Sequence, residues 1–169
     1  AAGRIAGAAR VRCARLNVGG GFPGGKAEGA PALETYFAEI AAAAVRVFGV
    51  NHPHLVCEPG RGLIAPAMAL LTRVKLVRED GAVFLNDGVY GGLAEAPLIG
   101  VVPHVRVCRP DATPVEGETE GRVIFGPTCD SMDRMPGETA LPAAIREGDF
   151  VIFEGLGAYG TATATRFNG

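Results

Sequence analysis

In the first part of the chain, short apolar runs alternate with a segment in which apolar residues recur at helical spacing. Residues 11–18 and 54–57 are short apolar runs that predict strands. Between them, residues 32–48 carry apolar side chains at helical spacing and predict an amphipathic helix. Residues 65–71 predict a further short helix or helical turn. A strand, a helix and a second strand in this order are typical of parallel β/α units.

The pattern changes from Thr72 onward, where short β-like runs are separated by turn residues. These runs occupy residues 74–77, 83–85, 101–107, 122–125 and 150–153. Many short strands with turns between them predict an antiparallel β domain. We therefore predict an α/β part over residues 1–70 followed by a β part over residues 71–169, with the boundary near Leu70 and no flexible linker.

The predicted α/β part is too small to form a complete parallel sheet. Two parallel strands and one intervening helix can neither cover both faces of a sheet nor close a barrel. The chain also begins within a predicted helix at residues 4–9 and stops at Phe167-Asn168-Gly169. We expect it to be a piece of a longer polypeptide.

Composition and charge narrow the possible partners. The chain has 169 residues, of which 48% are hydrophobic, and a net charge of −2. This charge provides no basic face for nucleic acid, and no apolar stretch approaches the roughly 20 residues that a membrane-spanning helix needs. The four cysteines are far apart and form no C-x-x-C pair, so they suggest neither a zinc site nor a disulfide framework. We expect a cytoplasmic protein with no metal, no nucleic-acid partner and no membrane partner.

A glycine run, Gly19-Gly20-Gly21, follows the first predicted strand. Consecutive glycines let the backbone approach a ligand closely and present unhindered N–H groups, as a phosphate-binding turn requires. The alternative is a tight turn between a strand and a helix. The run lacks both the P-loop lysine and the G-x-G-x-x-G spacing, so it does not decide between the two interpretations.

The second predicted strand ends at Glu58-Pro59-Gly60-Arg61. In a barrel, active sites form at the C-terminal ends of the strands. A carboxylate there can keep a pyridine nitrogen protonated, and Arg61 with the Gly60 N–H can hold a phosphate. A surface ion pair that caps the following helix is the alternative.

Two further positions carry candidate chemistry. Cys129-Asp130 lies in a turn rich in glycine, proline, threonine and aspartate, so we expect it to be exposed at a loop tip. A cysteine in such a loop can deliver a proton or act as a nucleophile, and the aspartate can pair with a substrate ammonium, although most lone cysteines are small buried hydrophobes. Tyr159, between glycines after an apolar strand, either reaches a ligand or lies in a β-turn.

These motifs occur in an order that resembles a known family, the pyridoxal-phosphate-dependent decarboxylases of ornithine, lysine, arginine and diaminopimelate, and in particular the ornithine decarboxylases. The resemblance covers almost the whole chain. Its motifs are Gly19-Gly20-Gly21-Phe22-Pro23-Gly24, Glu58-Pro59-Gly60-Arg61, Asn86-Asp87-Gly88-Val89-Tyr90-Gly91, Gly126-Pro127-Thr128-Cys129-Asp130, and Gly157-Ala158-Tyr159 through Phe167-Asn168-Gly169.

The resemblance implies an architecture and an assembly. Residues 1–70 would be the C-terminal portion of a (β/α)8 TIM barrel that binds pyridoxal phosphate. Residues 71–169 would be the C-terminal β-barrel or β-sandwich domain. The family forms head-to-tail homodimers whose active sites are shared across the interface. The family's lysine that carries the cofactor lies upstream, and neither Lys26 nor Lys75 falls in a matching motif, so we expect this chain alone to be inactive.

The resemblance also implies roles for individual residues. Cys129 would protonate the α-carbon, Asp130 would pair with the distal ammonium of the substrate, and Phe167 would lie beside it. The residues implied to hold the cofactor are Gly20, Gly21, Glu58, Pro59, Gly60, Arg61 and Tyr159. Glu95 is a weak candidate for a second acid near the substrate amine.

The expected substrate is a basic amino acid. Related diaminopimelate enzymes usually show Cys-Glu-Ser-Gly-Asp where this chain has Cys129-Asp130-Ser131-Met132-Asp133, and a negative Asp130 would repel a distal carboxylate. Conversion of L-ornithine to putrescine is therefore our first expectation, with lysine or dual lysine/ornithine decarboxylation as the alternative. Two other classes stay open. One is a non-catalytic regulatory homologue similar to the antizyme inhibitors, and the other is an unrelated phosphate-binding β/α module.

Overall fold

The computed structural model describes residues 1–24, 31–100 and 104–167. The chain divides into two compact units, Ala1–Leu63 and Ile64–Gly169. Lys26, Asn168 and Gly169, which entered the sequence analysis, lie outside the described residues.

The first unit contains the predicted strand–helix–strand pattern. Its elements are α1 (Ala2–Ala9), β1 (Arg15–Asn17), α2 (Leu33–Phe48), β2 (His54–Val56) and α3 (Gly60–Ile64), which ends at the division between the units. β1 and β2 are parallel, with Leu16 opposite Leu55, so the predicted β/α unit is confirmed. These two strands do not by themselves form a barrel, and the assignment to a barrel stays a prediction.

Helix α2 carries the aromatic contacts that hold the glycine-rich turn. It begins with Glu34 in its first turn and has Arg46 in its last, charges that suit the helix dipole. The ring of Phe22, which follows the glycine run, is buried. It lies 6.4 Å from the ring of Tyr36 and 5.2 Å from the ring of Phe37. Phe22 thereby anchors the turn onto α2.

The second unit is built mainly from short strands. Its elements are a 3₁₀ turn (Ala65–Ala67), β3 (Leu70–Val77), β4 (Val83–Leu85), α4 (Ala96–Ile99), β5 (Val105–Cys108), β6 (Thr119–Arg122), β7 (Ile124–Phe125), β8 (Thr139–Pro142) and β9 (Phe150–Phe153). Five strands form one sheet in the order β5-β9-β3-β4-β7, and β6 pairs with β8 in a separate ribbon.

The larger sheet is mixed, whereas the sequence predicted an antiparallel one. β3 is antiparallel to β4 and to β9, and β5 is antiparallel to β9. β7, however, runs parallel to β4, with Val83 opposite Ile124. The long connection between β4 and β7 allows this direction, and the apolar run of a strand does not encode which way it points.

The core lies on one face of this sheet and against its connecting segments. Along β3, Thr72 and Val74 are buried while Arg73 and Lys75 are exposed, the two-residue period expected of a half-buried strand. The largest fully buried apolar side chains of this unit are Val74, Val83, Leu85, Leu93, Ile124, Leu141, Val151 and Phe153.

The division between the units falls after Leu63 and not near Leu70. Ala65 is buried, and its carbonyl accepts the N–H of Gly157 at 3.0 Å. The carbonyl of Met68 accepts the N–H of Leu156 at 3.0 Å. These bonds assign the segment to the sheet unit. Of the short helix or helical turn predicted over residues 65–71, a 3₁₀ turn forms over Ala65–Ala67, and it is shorter than predicted because Leu70 already pairs with Phe153.

Other element predictions differ in detail. The strand predicted over residues 122–125 is two strands, β6 and β7, separated by Val123. The sequence analysis missed β8 and α4, which lie in polar or proline-containing segments. The strand predicted over residues 101–107 is observed from Val105, and residues 101–103 lie outside the described part. Over the ranges that the structure describes, no helix has the length and apolar character to cross a membrane.

Candidate active site

The first candidate cluster lies where β1 and β2 end. Because the strands are parallel, the residues that follow them lie at the same edge. The side-chain amide of Asn17 donates a hydrogen bond to Glu58 Oε1 at 2.5 Å. The Asn17 side-chain oxygen accepts the N–H of Gly19 at 2.8 Å, and the Glu58 N–H donates to the Gly19 carbonyl at 2.8 Å. Asn17 and the glycine turn therefore hold Glu58 in place.

The glycine run is required by backbone geometry. Gly19 and Gly21 have φ values of 80° and 81°, in the left-handed region that favours glycine. A Cβ on Gly20 would lie 2.6 Å from the carbonyl oxygen of Glu58. The turn therefore needs two glycines for their conformation and one for close approach to the acid. The structure brings the predicted residues Gly20, Gly21 and Glu58 together.

Pro59, Gly60 and Arg61 lead from Glu58 into helix α3. The N–H of Gly60 donates to the Glu58 carbonyl at 2.8 Å, and the Leu63 N–H donates to the Pro59 carbonyl at 3.0 Å. The Gly60 N–H, which we predicted to bind a phosphate, thus makes an internal bond in this structure. Arg61 is half-buried in the first turn of α3.

The second candidate cluster lies in the sheet unit, on the loop between β7 and Arg134. The loop is closed at its base by the hydrogen bond from the Gly126 N–H to the Asp133 carbonyl, at 2.8 Å, and by a bridge between Phe125 and Arg134. Cys129 is exposed on this loop, as predicted from its polar neighbours.

The carboxylate of Asp130 is oriented by two donors. Its Oδ2 accepts the Tyr90 hydroxyl at 2.5 Å, and its Oδ1 accepts the Met132 N–H at 2.9 Å. These bonds, that of Tyr90 first, hold the pKa of Asp130 below its usual range. The same hydrogen bond is the main reason why the pKa of Tyr90 is raised, with burial and the charges of Asp130 and Asp133 adding to it. Asp130 is therefore ionised at neutral pH.

Tyr90 also joins Asp130 to the end of the chain. The rings of Tyr90 and Phe167 are 4.5 Å apart. The Tyr90 carbonyl accepts both the N–H and the hydroxyl of Thr165, each at 2.8 Å. The sequence analysis used the motif around Tyr90 only for the family resemblance and assigned the tyrosine no role. The signal that could have identified it is an aromatic hydroxyl between the glycines of a polar loop.

Tyr159 lies in a turn of the sheet unit with its side chain half exposed. Its carbonyl accepts the N–H of Thr163 at 3.2 Å and the Thr163 hydroxyl at 2.6 Å. Glu95 lies at the N-terminus of α4, and Lys75 is exposed on β3. The structure thus groups Gly20, Gly21 and Glu58 in the first unit, and it connects Asp130 to Phe167 through Tyr90 in the sheet unit.

Comparison with known proteins places these features in a family. Residues 35–157 match the family model described as "Pyridoxal-dependent decarboxylase, C-terminal sheet domain". Ornithine decarboxylase of Schizosaccharomyces pombe is 33% identical over 91% of this chain, and that of Cricetulus griseus is 32% identical over 91%. The chain spans 36% of the length of each of these relatives.

Solved structures show the same fold. The arginine decarboxylase of Paramecium bursaria Chlorella virus bound to agmatine superposes with a TM-score of 0.76 at 30% identity, covering 98% of this chain and 44% of that one. The lysine/ornithine decarboxylase of Vibrio vulnificus complexed with putrescine gives a TM-score of 0.75 at 29% identity, with the same coverage. The motifs, the sheet and these matches agree, and the chain belongs to the pyridoxal-dependent decarboxylases, which it matches in their C-terminal sheet domain.

Proposed function

We propose that the protein containing this chain decarboxylates a basic amino acid with pyridoxal phosphate, with L-ornithine as substrate and putrescine and carbon dioxide as products. The observation that carries the proposal is the Asp130 carboxylate, which is kept ionised by Tyr90 and the Met132 N–H and adjoins the exposed Cys129. A fixed negative charge beside a proton donor suits a substrate that has a distal ammonium and must be protonated at its α-carbon.

The residues of the first unit fit the proposed cofactor. Gly19 and Gly21 have positive φ angles, and apart from their chain neighbours no atom of the described residues would lie within 4 Å of a Cβ on either glycine, so the backbone of the turn is open to a phosphate. Gly20, Gly21 and Arg61 are the residues of this unit that we propose hold the phosphate, with Pro59 and Gly60 shaping the loop. When bound, pyridoxal phosphate supplies an electron-withdrawing ring that stabilises negative charge at the substrate α-carbon.

Glu58 has the chemistry to keep a ring nitrogen protonated. It is exposed, and Asn17 fixes its Oε1 through a 2.5 Å hydrogen bond. A carboxylate beside a pyridine nitrogen favours the protonated form of that nitrogen. With the cofactor bound, Glu58 would make its ring a stronger electron acceptor without itself taking part in bond breaking.

Cys129 and Asp130 have separate roles, one in proton delivery and one in substrate binding. When the bond from the α-carbon to the carboxylate breaks, carbon dioxide leaves and the α-carbon must gain a proton. The Cys129 thiol delivers that proton, and Asp130 holds the distal ammonium so that the α-carbon is presented to the thiol. Phe167, whose ring lies 4.5 Å from that of Tyr90, provides an apolar wall for the aliphatic part of the substrate.

The choice of ornithine is supported by the names of the relatives. Both curated relatives described above are ornithine decarboxylases. The similar structures include an arginine decarboxylase, a lysine/ornithine decarboxylase, a lysine decarboxylase and a diaminopimelate decarboxylase. Lysine, alone or together with ornithine, is the second candidate substrate. We further propose a cytoplasmic homodimer in which Cys129 and Asp130 serve the neighbouring subunit's site.

The test is an assay of the intact gene product for carbon dioxide release from ornithine, lysine, arginine and diaminopimelate. We expect turnover of ornithine and a visible cofactor absorbance. Asp130→Ala should weaken binding of a diamine, because a charge pair is lost, and leave cofactor affinity unchanged. Absence of turnover with all four amino acids would overturn the proposal. If the protein then captured a regulatory protein and showed no cofactor absorbance, it would be a non-catalytic homologue.

A further inference from the structure

A buried carboxylate joins the two loops that carry the candidate substrate-binding residues of the sheet unit. Asp133 is 1% exposed. Its Oδ1 accepts the Val89 N–H at 2.9 Å, and its Oδ2 accepts the Thr128 N–H at 3.0 Å. Val89 lies on the loop that follows β4, and Thr128 lies on the loop that follows β7. Each carboxylate oxygen therefore holds a different loop.

The sheet topology explains why one side chain can reach both loops. β4 and β7 are parallel neighbours, with Phe84 opposite Phe125. Loops that follow parallel strands leave the sheet at the same edge. The mixed character of this sheet, which the sequence did not predict, therefore creates the site for Asp133.

Glycines make room for the carboxylate on both loops. A Cβ on Gly88 would overlap Asp133 Oδ1, and a Cβ on Gly126 would overlap both carboxylate oxygens. A Cβ on Gly88 would also lie 2.6 Å from the Cα of Gly126. The two loops close directly around Asp133, and neither can accept a side chain at its glycine.

The two anchored N–H groups lie next to the residues that form the proposed substrate-binding group. Val89 immediately precedes Tyr90, and Thr128 immediately precedes Cys129 and Asp130. The 2.5 Å hydrogen bond from Tyr90 to Asp130 is a second connection between the same two loops. A shift of either anchor would move the Tyr90 hydroxyl relative to the Asp130 carboxylate.

We infer that Asp133 is a positioning residue: by binding the Val89 and Thr128 N–H groups it sets the register of Tyr90 against Asp130, and so determines how well the protein discriminates in favour of a distal ammonium. The part of this inference that concerns substrate specificity rests on the proposed function. Its structural part, the coupling of the two loops through one carboxylate, does not depend on that function.

The experiment compares Asp133→Asn with Asp149→Asn in the intact gene product. An amide at position 133 keeps the size of the side chain but has one acceptor oxygen, so one of the two loops loses its anchor. Asp149 is a matched control, because it is also buried in the sheet unit and accepts a backbone N–H, that of Arg146 at 2.9 Å. Its bonds go to other segments, namely to Arg109 and Arg146.

Two measurements distinguish a positioning role of Asp133 from a general loss of protein stability. The first is amide hydrogen exchange of peptides covering residues 86–91 and 126–133. We expect about tenfold faster exchange in Asp133→Asn and no change there in Asp149→Asn, whatever the loss of melting temperature in each. The second is the ratio of kcat/KM for ornithine to that for 2-aminopentanoic acid, which lacks the distal amine. We expect this ratio to fall about tenfold in Asp133→Asn only.

The outcomes are distinct. Unchanged exchange in both loops, or faster exchange with an unchanged substrate ratio, would overturn the positioning role. An equal fall of the ratio in both variants would also overturn it. If the wild-type protein has no decarboxylase activity, the proposed function fails. In that case, faster exchange of the loop peptides in Asp133→Asn but not in Asp149→Asn would still show that the Asp133 carboxylate couples the two loops.

Discussion

The Tyr90 hydroxyl donates a 2.5 Å hydrogen bond to the carboxylate of Asp130, although 40 residues separate them in the sequence. The bond connects the loop after β4 to the loop after β7. Since it lowers the pKa of Asp130 and raises that of Tyr90, it favours the state in which the aspartate is charged and the tyrosine is neutral. This is the state needed to bind an ammonium group.

Removal of the Tyr90 hydroxyl should change the pH dependence of stability. A carboxylate with a lowered folded-state pKa stabilises the fold above its unfolded pKa, about 4, and loses that contribution as pH falls through the folded pKa. A phenol with a raised pKa stabilises the fold below about pH 10 and loses that contribution as pH rises through its folded pKa. We expect wild type to lose stability more steeply than Tyr90→Phe at both extremes.

Urea unfolding across the pH range tests this prediction. Tyr36→Phe, which alters a tyrosine of the other unit, is the control and should follow the wild-type curve. Curves for Tyr90→Phe and wild type that stay parallel from acid to alkali would show that the Tyr90–Asp130 bond contributes nothing to folding.

Loss of the Cys129 thiol should impair protonation and leave binding intact. In the intact gene product, we expect Cys129→Ala to lower turnover by about 10² to 10⁴ and to yield some misprotonated product. Product analysis and cofactor absorbance measure the two effects. Cys108→Ala, which changes a half-buried cysteine on β5, should retain normal products. Wild-type product partitioning in Cys129→Ala would leave the thiol without a catalytic role.

The close approach of Gly20 to Glu58 predicts a steric effect. A Cβ on Gly20 would lie 2.6 Å from a backbone oxygen, which cannot move aside as a side-chain tip can. Gly20→Ala should therefore destabilise the protein by about 1 to 3 kcal/mol and weaken cofactor binding. Gly7→Ala is the control, since outside the backbone of helix α1 no atom of the described residues lies within 4 Å of its added Cβ and alanine favours the helix. Equal melting temperatures for the two variants would contradict the prediction.

The buried ion pair between Asp149 and Arg109 should contribute to stability. Asp149 is 1% exposed, and its Oδ2 lies 2.6 Å from Arg109 Nη1. Arg109→Ala leaves a buried carboxylate without this partner, and we expect a loss of about 3 to 5 kcal/mol in the free energy of unfolding. Arg78→Ala breaks an exposed pair with Asp80 and should cost less than about 1 kcal/mol. Similar losses in the two variants would show that burial adds nothing to the Asp149 pair.

Several structural features could be predicted because their signals are local. The helical spacing of residues 32–48 predicted α2, and the apolar run at residues 150–153 predicted β9. The polar surroundings of Cys129 predicted its exposure. Strands with weak apolar character were missed in whole or in part. β6, which the sequence predicted only at Arg122, illustrates the reason: its other three residues, Thr119, Glu120 and Gly121, are exposed, so its pairing with β8 leaves no two-residue period in the sequence.

The candidate site was predicted only in part, for a similar reason. Gly20, Gly21 and Glu58 stand in motifs whose residue types suit one ligand, and the structure brings them together. Tyr90 and Asp133 act through partners 40 and 44 residues away. No local sequence pattern indicates which distant residue Tyr90 or Asp133 contacts, so their roles could not be predicted from the sequence.

The sequence by itself determined the family, the order of the motifs and the two kinds of secondary structure, because these depend on residue type and short-range spacing. Only the tertiary structure decided that β7 runs parallel to β4, that Tyr90 meets Asp130, and that the Asp133 carboxylate is buried between two loops. The physical reason is that strand direction and loop contacts result from burial and hydrogen bonding between distant segments, and such contacts form only when the whole sheet is assembled.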